Sequence, residues 1–438
     1  VLDLIGHNVA NASTEDYHRQ RAELRSLGGQ AGAGISSGVS TRTYGVDVVG
    51  ISRAVDDLLA ARATREDASR SAAQLMSSTM SRVEGIFPEP SDIGLAQQLD
   101  DFWGAWTDVS NNPGDLATRT QLLEHAQSLV DSIHRSSSDL EGVRSTSIAQ
   151  MNRLAIEVNG LSQEVAKLNQ TIAAGTDNPD LLDRRDLLVG QIANLTGATA
   201  RPGVNGMVDV TVSGRPIVSA TTSFALDGTT GTLVFQSDGL AVGPTSGEAA
   251  TLAATITDVV PRYRTLLDDI ASTLVTTVNA AHSVGYDQTG TTGRTFFTPA
   301  GVTAASISLS ADVVGQPSHV AAGAPVLPGP TAPGALDGEQ ARLIAALADS
   351  ATGADSKYQA LITSLAVETR GATQRADIQD QVAESAIRDA DSVGAVSLDE
   401  EMADLTAAQR AFEASARVFT VIDEMLETLI NRVGVVGR

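Results

Sequence analysis

Residues 397–433, SLDEEMADLTAAQRAFEASARVFTVIDEMLETLINRV, carry one uninterrupted amphipathic pattern. Leu398, Met402, Leu405, Gln409, Phe412, Ala416 and Phe419 recur at alternating steps of 4 and 3, the period of one helix face. Ile422, Leu426, Leu429 and Val433 continue the ridge after one short step. Ser397 and Glu400 have the S-x-x-E spacing of a capping box. Asp399, Glu400 and Glu401 put negative charge in the first turn, where the helix dipole favours it. At the other extremity, residues 1–21 read VLDLIGHNVANASTEDYHRQR. Leu2, Ile5 and Val9 form a helical ridge there, which the turn formers Asn11-Ala12-Ser13-Thr14 end. An apolar ridge at each end, with nearly the whole chain between them, needs a partner. Burying one ridge does not offset the entropy of ordering a helix this long. The expectation is that both termini are largely disordered in the monomer and fold on assembly, with Leu2, Ile5 and Val9 opposite the C-terminal ridge.

Between these ends the texture is helical, interrupted once. Helix is expected from near Ile51 to Ile86, over 92–108, from Leu116 to Ala174, and over 180–195. Met151, Leu154, Val158, Leu161, Val165, Leu168 and Ile172 alternate steps of 3 and 4, which predicts a narrow seam against another helix. The helix holding them would be roughly 90 Å long. From Thr199 to Thr255 the pattern turns to alternation, with Val208, Val210 and Val212 separated by polar residues. Helix returns over 257–284, short strands are expected at Thr295–Phe297 and Ala305–Leu309, and helix dominates from Glu339 onward, broken at Gly353 and Gly394. The fold class expected is mainly α with an inserted antiparallel β domain: an elongated helical rod with terminal coiled-coil helices. Helices on either side of the insertion must pack together.

Composition narrows the function. The 438 residues carry 30 Lys and Arg against 53 Asp and Glu, a net charge of −23. Such a chain repels phosphate backbones and anionic lipid heads, so no nucleic-acid or membrane partner is expected. Cysteine is absent, which removes disulfides, thiolate metal sites and cysteine nucleophiles. No apolar run approaches the ~18–20 residues of a membrane span. The chain opens without Met, with helix expected from its first residues, and no cleavable signal is expected.

Several motifs carry a resemblance to a known family. Asn8-Val9-Ala10-Asn11-Ala12-Ser13-Thr14 through Tyr17-His18-Arg19-Gln20 resembles the N-I-A-N-x-x-T-P-G-Y-x-R-Q signature of the bacterial flagellar axial proteins. Glu15-Asp16 stand where that family usually has Pro-Gly. Gly45-Val46-Asp47-Val48 through Arg53, Asp56, Leu58 and Leu59 resembles the start of its first core helix. Asp180-Leu181-Leu182-Asp183-Arg184-Arg185-Asp186 resembles its D-L-L-D-x-R-D motif, and the L-D-E-E-M-A opening at Leu398–Ala403 resembles the members that join hook to filament. The resemblance spans essentially the whole chain. It implies that residues 1–45 and 385–438 form a terminal assembly domain, 46–198 and 257–384 a helical rod, and 199–256 an outward-facing β domain. It further implies a ring of subunits with Asn8, Asn11, Tyr17, Arg19 and Gln20 at the assembly surface. The implied partners are the hook protein, the third hook-associated protein and a flagellar export chaperone bound through the C-terminal helix. The implied location is the extracellular flagellum, reached by export without a cleaved signal. Alternatives within reach are another axial component (hook or third hook-associated protein) or a secreted enzyme on a flagellin-like scaffold.

Catalytic readings find little support. His7, His18, His125, His134, His282 and His319 form no H-E-x-x-H or comparable cluster. Gly32-Ala33-Gly34 leads to Gly38, which fails the G-x-G-x-x-G spacing. The Gly/Ser tract over 26–45 reads as a connector. Asp183/Asp186 and Glu400/Glu401 read as solvent-facing salt-bridge and capping residues. No enzyme, cofactor or metal is expected.

Overall fold

The computed structural model describes residues 1–14, 16–26, 46–175, 178–325, 334 and 336–432. The Gly/Ser connector beyond Ser26, Val433 and prolines 328, 330 and 333 lie outside them. The chain opens on helix α1 (Leu2–Asn11) and then pairs two antiparallel strands, β1 (Gln20–Ser26) and β2 (Val46–Arg53). The expected start of helix near Ile51 is therefore wrong. Val46, Val48, Val49 and Ile51 are β-branched residues that suit a strand, and helix α2 (Asp57–Glu84) begins only where Asp56 accepts hydrogen bonds from the Leu58 and Leu59 amides.

Helices α3 (Leu95–Asn111), α4 (Leu116–Ala173) and α5 (Pro179–Thr196) follow. Each of the latter two starts on a capping side chain, Asp115 and Asn178, and α5 ends on Gly197 in the left-handed region at φ 69°. Strands β3 (Thr199–Pro202), β4 (Val208–Val212), β5 (Arg215–Ser219) and β6 (Thr222–Ser223) form an antiparallel sheet in sequence order, and β7 (Leu226–Asp227) pairs with β8 (Val234–Phe235). Ser213-Gly214, at φ 49° and 81°, makes the tight β4–β5 turn. Helix returns at α6 (Gly247–Ala254), earlier than the expected 257, and passes through a widened turn at 255–259 into α7 (Val260–Val284). Of the two expected strands beyond it, only a single bridge, Phe297 to Leu309, forms. Helices α8 (Glu339–Ala345), α9 (Ala354–Gly394) and α10 (Leu398–Arg432) complete the chain.

Helix α4 is the spine, and it serves two cores. Its first half joins α3, α7, α8 and α9 around Phe102, Trp103, Trp106, Phe296 and Phe297. His282 is buried there. Its Nδ1 donates to the Arg294 carbonyl and its Nε2 accepts from the Ala321 amide, while burial pushes its pKa down to about 4. The second half of α4 faces α5 and α6 on one side and the strands on the other, with Val158, Val165, Val210, Ile217 and Phe235 buried together. The regular 151–172 seam thus packs on a helix and a β layer rather than a helix alone. Asn159 and Asn169 stitch that contact, each bonding strand backbone through both amide atoms (Asn159 to Leu226 at 2.7 and 2.8 Å). Helices α2 and α9, from either side of the insertion, run antiparallel in close contact, Arg62 reaching Asp389 and Ser77 reaching Thr373. Small buried residues, Ala68 with Ala376, Ala383 and Ala386, permit that approach.

Candidate assembly interface

Helix α1 packs against the start of α10, so the structure brings the two terminal segments together. Of the α1 ridge, Ile5 is buried, Val9 half-buried and Leu2 exposed. Of the α10 ridge, Leu405 is half-buried, while Leu398, Met402, Phe412, Phe419, Ile422, Leu426 and Leu429 are exposed. Every residue from Gln409 to Ile430 is exposed. The apolar side is broader than the sequence reading allowed: Val418, Val421 and Met425 form a second exposed ridge, roughly a third to half a turn round from Phe412. A polar stripe, Thr406, Arg410, Glu413, Arg417, Thr420, Glu424 and Glu427, occupies the remaining side. The second ridge was legible as Ala407, Ala411, Ala414, Val418, Val421 and Met425 at the same alternating steps.

The polar signature residues do not lie on an outer surface. They build the joint between α1, α5 and α10. Asn8 is 2% exposed; its Oδ1 accepts from the Gln20 amide at 3.0 Å and the Tyr17 hydroxyl at 2.8 Å, and its Nδ2 donates to the Gln20 carbonyl and to Glu401. Asn11 donates back to the His7 carbonyl at 3.0 Å. Asp16 sits at φ 55°, the left-handed conformation that the family's usual Gly holds freely and that Asp tolerates better than most residues. Desolvation and the nearby Asp180 and Asp183 carboxylates push the Tyr17 phenol up, so it stays a donor.

Arg19 is the hub. Its Nε lies 2.6 Å from Glu401, its Nη1 2.7 Å from Glu400 and its Nη2 3.1 Å from Asp404. The Arg19 amide donates to the Gly394 carbonyl at 2.8 Å, and the Ala54 amide donates to the Arg19 carbonyl at 2.9 Å. The N-terminal strand therefore threads between the end of α9 and the approach to α2. Gly394 is required there, because a Cβ would stand 2.7 Å from the His18 ring and 2.8 Å from the Ala54 carbonyl.

Two expectations about charge change. Asp183 and Glu401 are 6% and 1% exposed, not solvent-facing. Asp183 accepts from His18 and Arg53, while Glu401 accepts from Asn8 and forms an ion pair with Arg19. The capping box is half-formed: Ser397 Oγ accepts from the Glu400 amide at 3.5 Å, but the Glu400 side chain turns to Arg19. His18, Arg53, Asp180, Asp183 and Glu401 were missed as site residues because their partners lie 130 to 393 positions away. Among the described residues no group of three or more His, Asp or Glu could hold a metal, and no helix is long and apolar enough to cross a membrane.

Residues 80–297 match the family model described as the flagellar hook-associated protein FlgK helical domain. Along its whole length the chain aligns with flagellar hook-associated protein 1 of Bacillus subtilis, at 25% identity and over 96% of that protein. The chain resembles the flagellar hook-associated protein 1 family. The proteins of that name from Salmonella typhimurium and Escherichia coli are 24% and 23% identical over 68% of the chain. In both, the match spans little more than half of the relative, 56% and 57%. The flagellar hook junction protein FlgK from Burkholderia pseudomallei shares the fold, with a TM-score of 0.64 and 14% identity, over 76% of this chain and 99% of that one. Residues 395–432 match the C-terminal model of the flagellar basal body rod FlgEFG proteins. The segment holding helix α10 thus matches a model named for the basal body rod proteins, not for the hook-associated proteins. The helical body over 80–297 matches the hook-associated model instead.

Proposed function

We propose that the chain is a structural component of the bacterial flagellum, joining hook to filament as a ring of copies packed through their terminal helices. The observation that carries this reading is α10, a 35-residue helix whose two apolar ridges stand exposed on a body of the hook-associated family. Exposed apolar surface of this extent marks an interaction site. Two ridges fit contact with two neighbours, as a closed ring requires. Residues 1–45 and 385–438 act as the assembly domain; the contact of α9 with α2 at Asp389 and the end of α9 at Gly394 support a working boundary near that glycine. The hook protein lies on one side of the ring and the third hook-associated protein on the other. An export chaperone covers the α10 ridges before assembly, and the chain reaches the cell exterior by the flagellar export route. The work is mechanical, and no catalytic constellation enters it.

Deleting the gene tests the position in the axis. The expected cells keep hooks and lose filaments, and they recover filaments with the gene supplied in trans. Loss of hooks as well would assign the chain to the hook itself.

A further inference from the structure

We propose that the Asp180–Asp183–Asp186 face of α5 is the docking site for the chain's own N-terminal segment, with the His18–Asp183 pair as its protonation-controlled latch. The three carboxylates follow one another at steps of three along α5, and each takes a donor from outside the helix. Asp180 receives His7 Nε2 at 3.1 Å and Gln20 Nε2 at 2.6 Å. Asp183 receives the His18 amide at 3.2 Å and His18 Nδ1 at 2.8 Å. Arg53 of β2 bridges Asp183 and Asp186 at 2.7 and 2.9 Å. The D-L-L-D-x-R-D pattern thereby gains a physical role as a row of acceptors for the N-terminal segment and Arg53.

The charges around His18 favour its protonated form. Asp183 and Asp186 face it from α5, against Arg53 from β2. From α10, Glu400, Glu401 and Asp404 reach this segment through Arg19, and α9 presents only the backbone of Gly394. The hydrogen bond to Asp183, first among the causes, holds His18 above its ordinary value. Burial would raise Asp183, but bonds from His18 and Arg53 outweigh it and hold that carboxyl low. The docked segment therefore keeps a proton that the free segment releases. Docking is complete below about pH 6.5 and weakens as pH rises through the raised His18 value, by up to about tenfold per unit. Asp183 contributes across the neutral range and loses its contribution only in acid. Release of this segment carries Arg19 off Glu401, so the start of α10 is freed with it.

The test uses the free full-length chain and stands apart from the junction reading. Amide hydrogen exchange is followed at His18, Arg19 and Gln20, corrected for intrinsic chemistry, at pH 6 and pH 9. Protection should fall at these three amides at pH 9 while α4 stays protected at both values. His18→Lys, with a fixed charge, should lose this pH dependence, and His18→Gln should show the weakened level at both values. Equal protection at pH 6 and pH 9 in the unmodified chain would overturn the latch, as would a His18→Lys chain that falls in step with it.

Discussion

Phe412→Asp leaves the body folded and abolishes entry into the junction. The side chain is 68% exposed, so a single copy loses little packing, and a surface change of this kind moves stability by no more than about 0.5 kcal/mol. In the proposed ring the same position is expected to be buried between helices. An unpaired carboxylate there costs several kcal/mol per copy, and every copy carries it. Melting of the purified variant should match the parent, while cells should be non-motile, with hooks and no filaments. Thr420→Asp adds the same charge on the polar stripe of α10 and should keep filaments. Normal filaments with Phe412→Asp would refute the assignment of this ridge.

Arg19→Ala unfastens both termini from the body. Glu401 has a side chain 2% exposed, and Arg19 is the cation that meets it. Removing one partner of a buried ion pair strands the other, at about 3–5 kcal/mol. The loss falls on the docking of residues 1–26 and the first turns of α10, because neither core contains Arg19. Limited proteolysis should therefore cut near 394–397 much faster than in the parent, with the main thermal transition unmoved. Arg19→Met with Glu401→Leu removes both charges of the buried pair and should recover much of the resistance, since Glu400 and Asp404, which also lose Arg19, are exposed to solvent. Equal cleavage rates in the parent and Arg19→Ala would remove Arg19 from its place as hub.

The long helices were legible because a period near 3.6 survives any context. Helix α4 ends within a residue of its expected limit, and Gly353 and Gly394 break the chain where expected. Strand β2 was not legible as a strand: Val46–Arg53 is short, and its partner β1 lies on the far side of the connector. The terminal site divided the same way. Its apolar half announced itself through spacing within one helix. Its polar half depends on pairings such as Arg19 with Glu401, and single charges in a sequence look like solvated surface until the fold joins them. Asp183 and Glu401 were dismissed for that reason.

Hydrogen exchange along α10, compared between the free chain and the assembled junction, tests the central claim most directly. The account predicts that amides from Gln409 to Ile430 exchange nearly unprotected in the free chain, while α4 is strongly protected, and that they become protected once the ring forms. Protection of that stretch in a solitary chain, equal to that of α4, would contradict it.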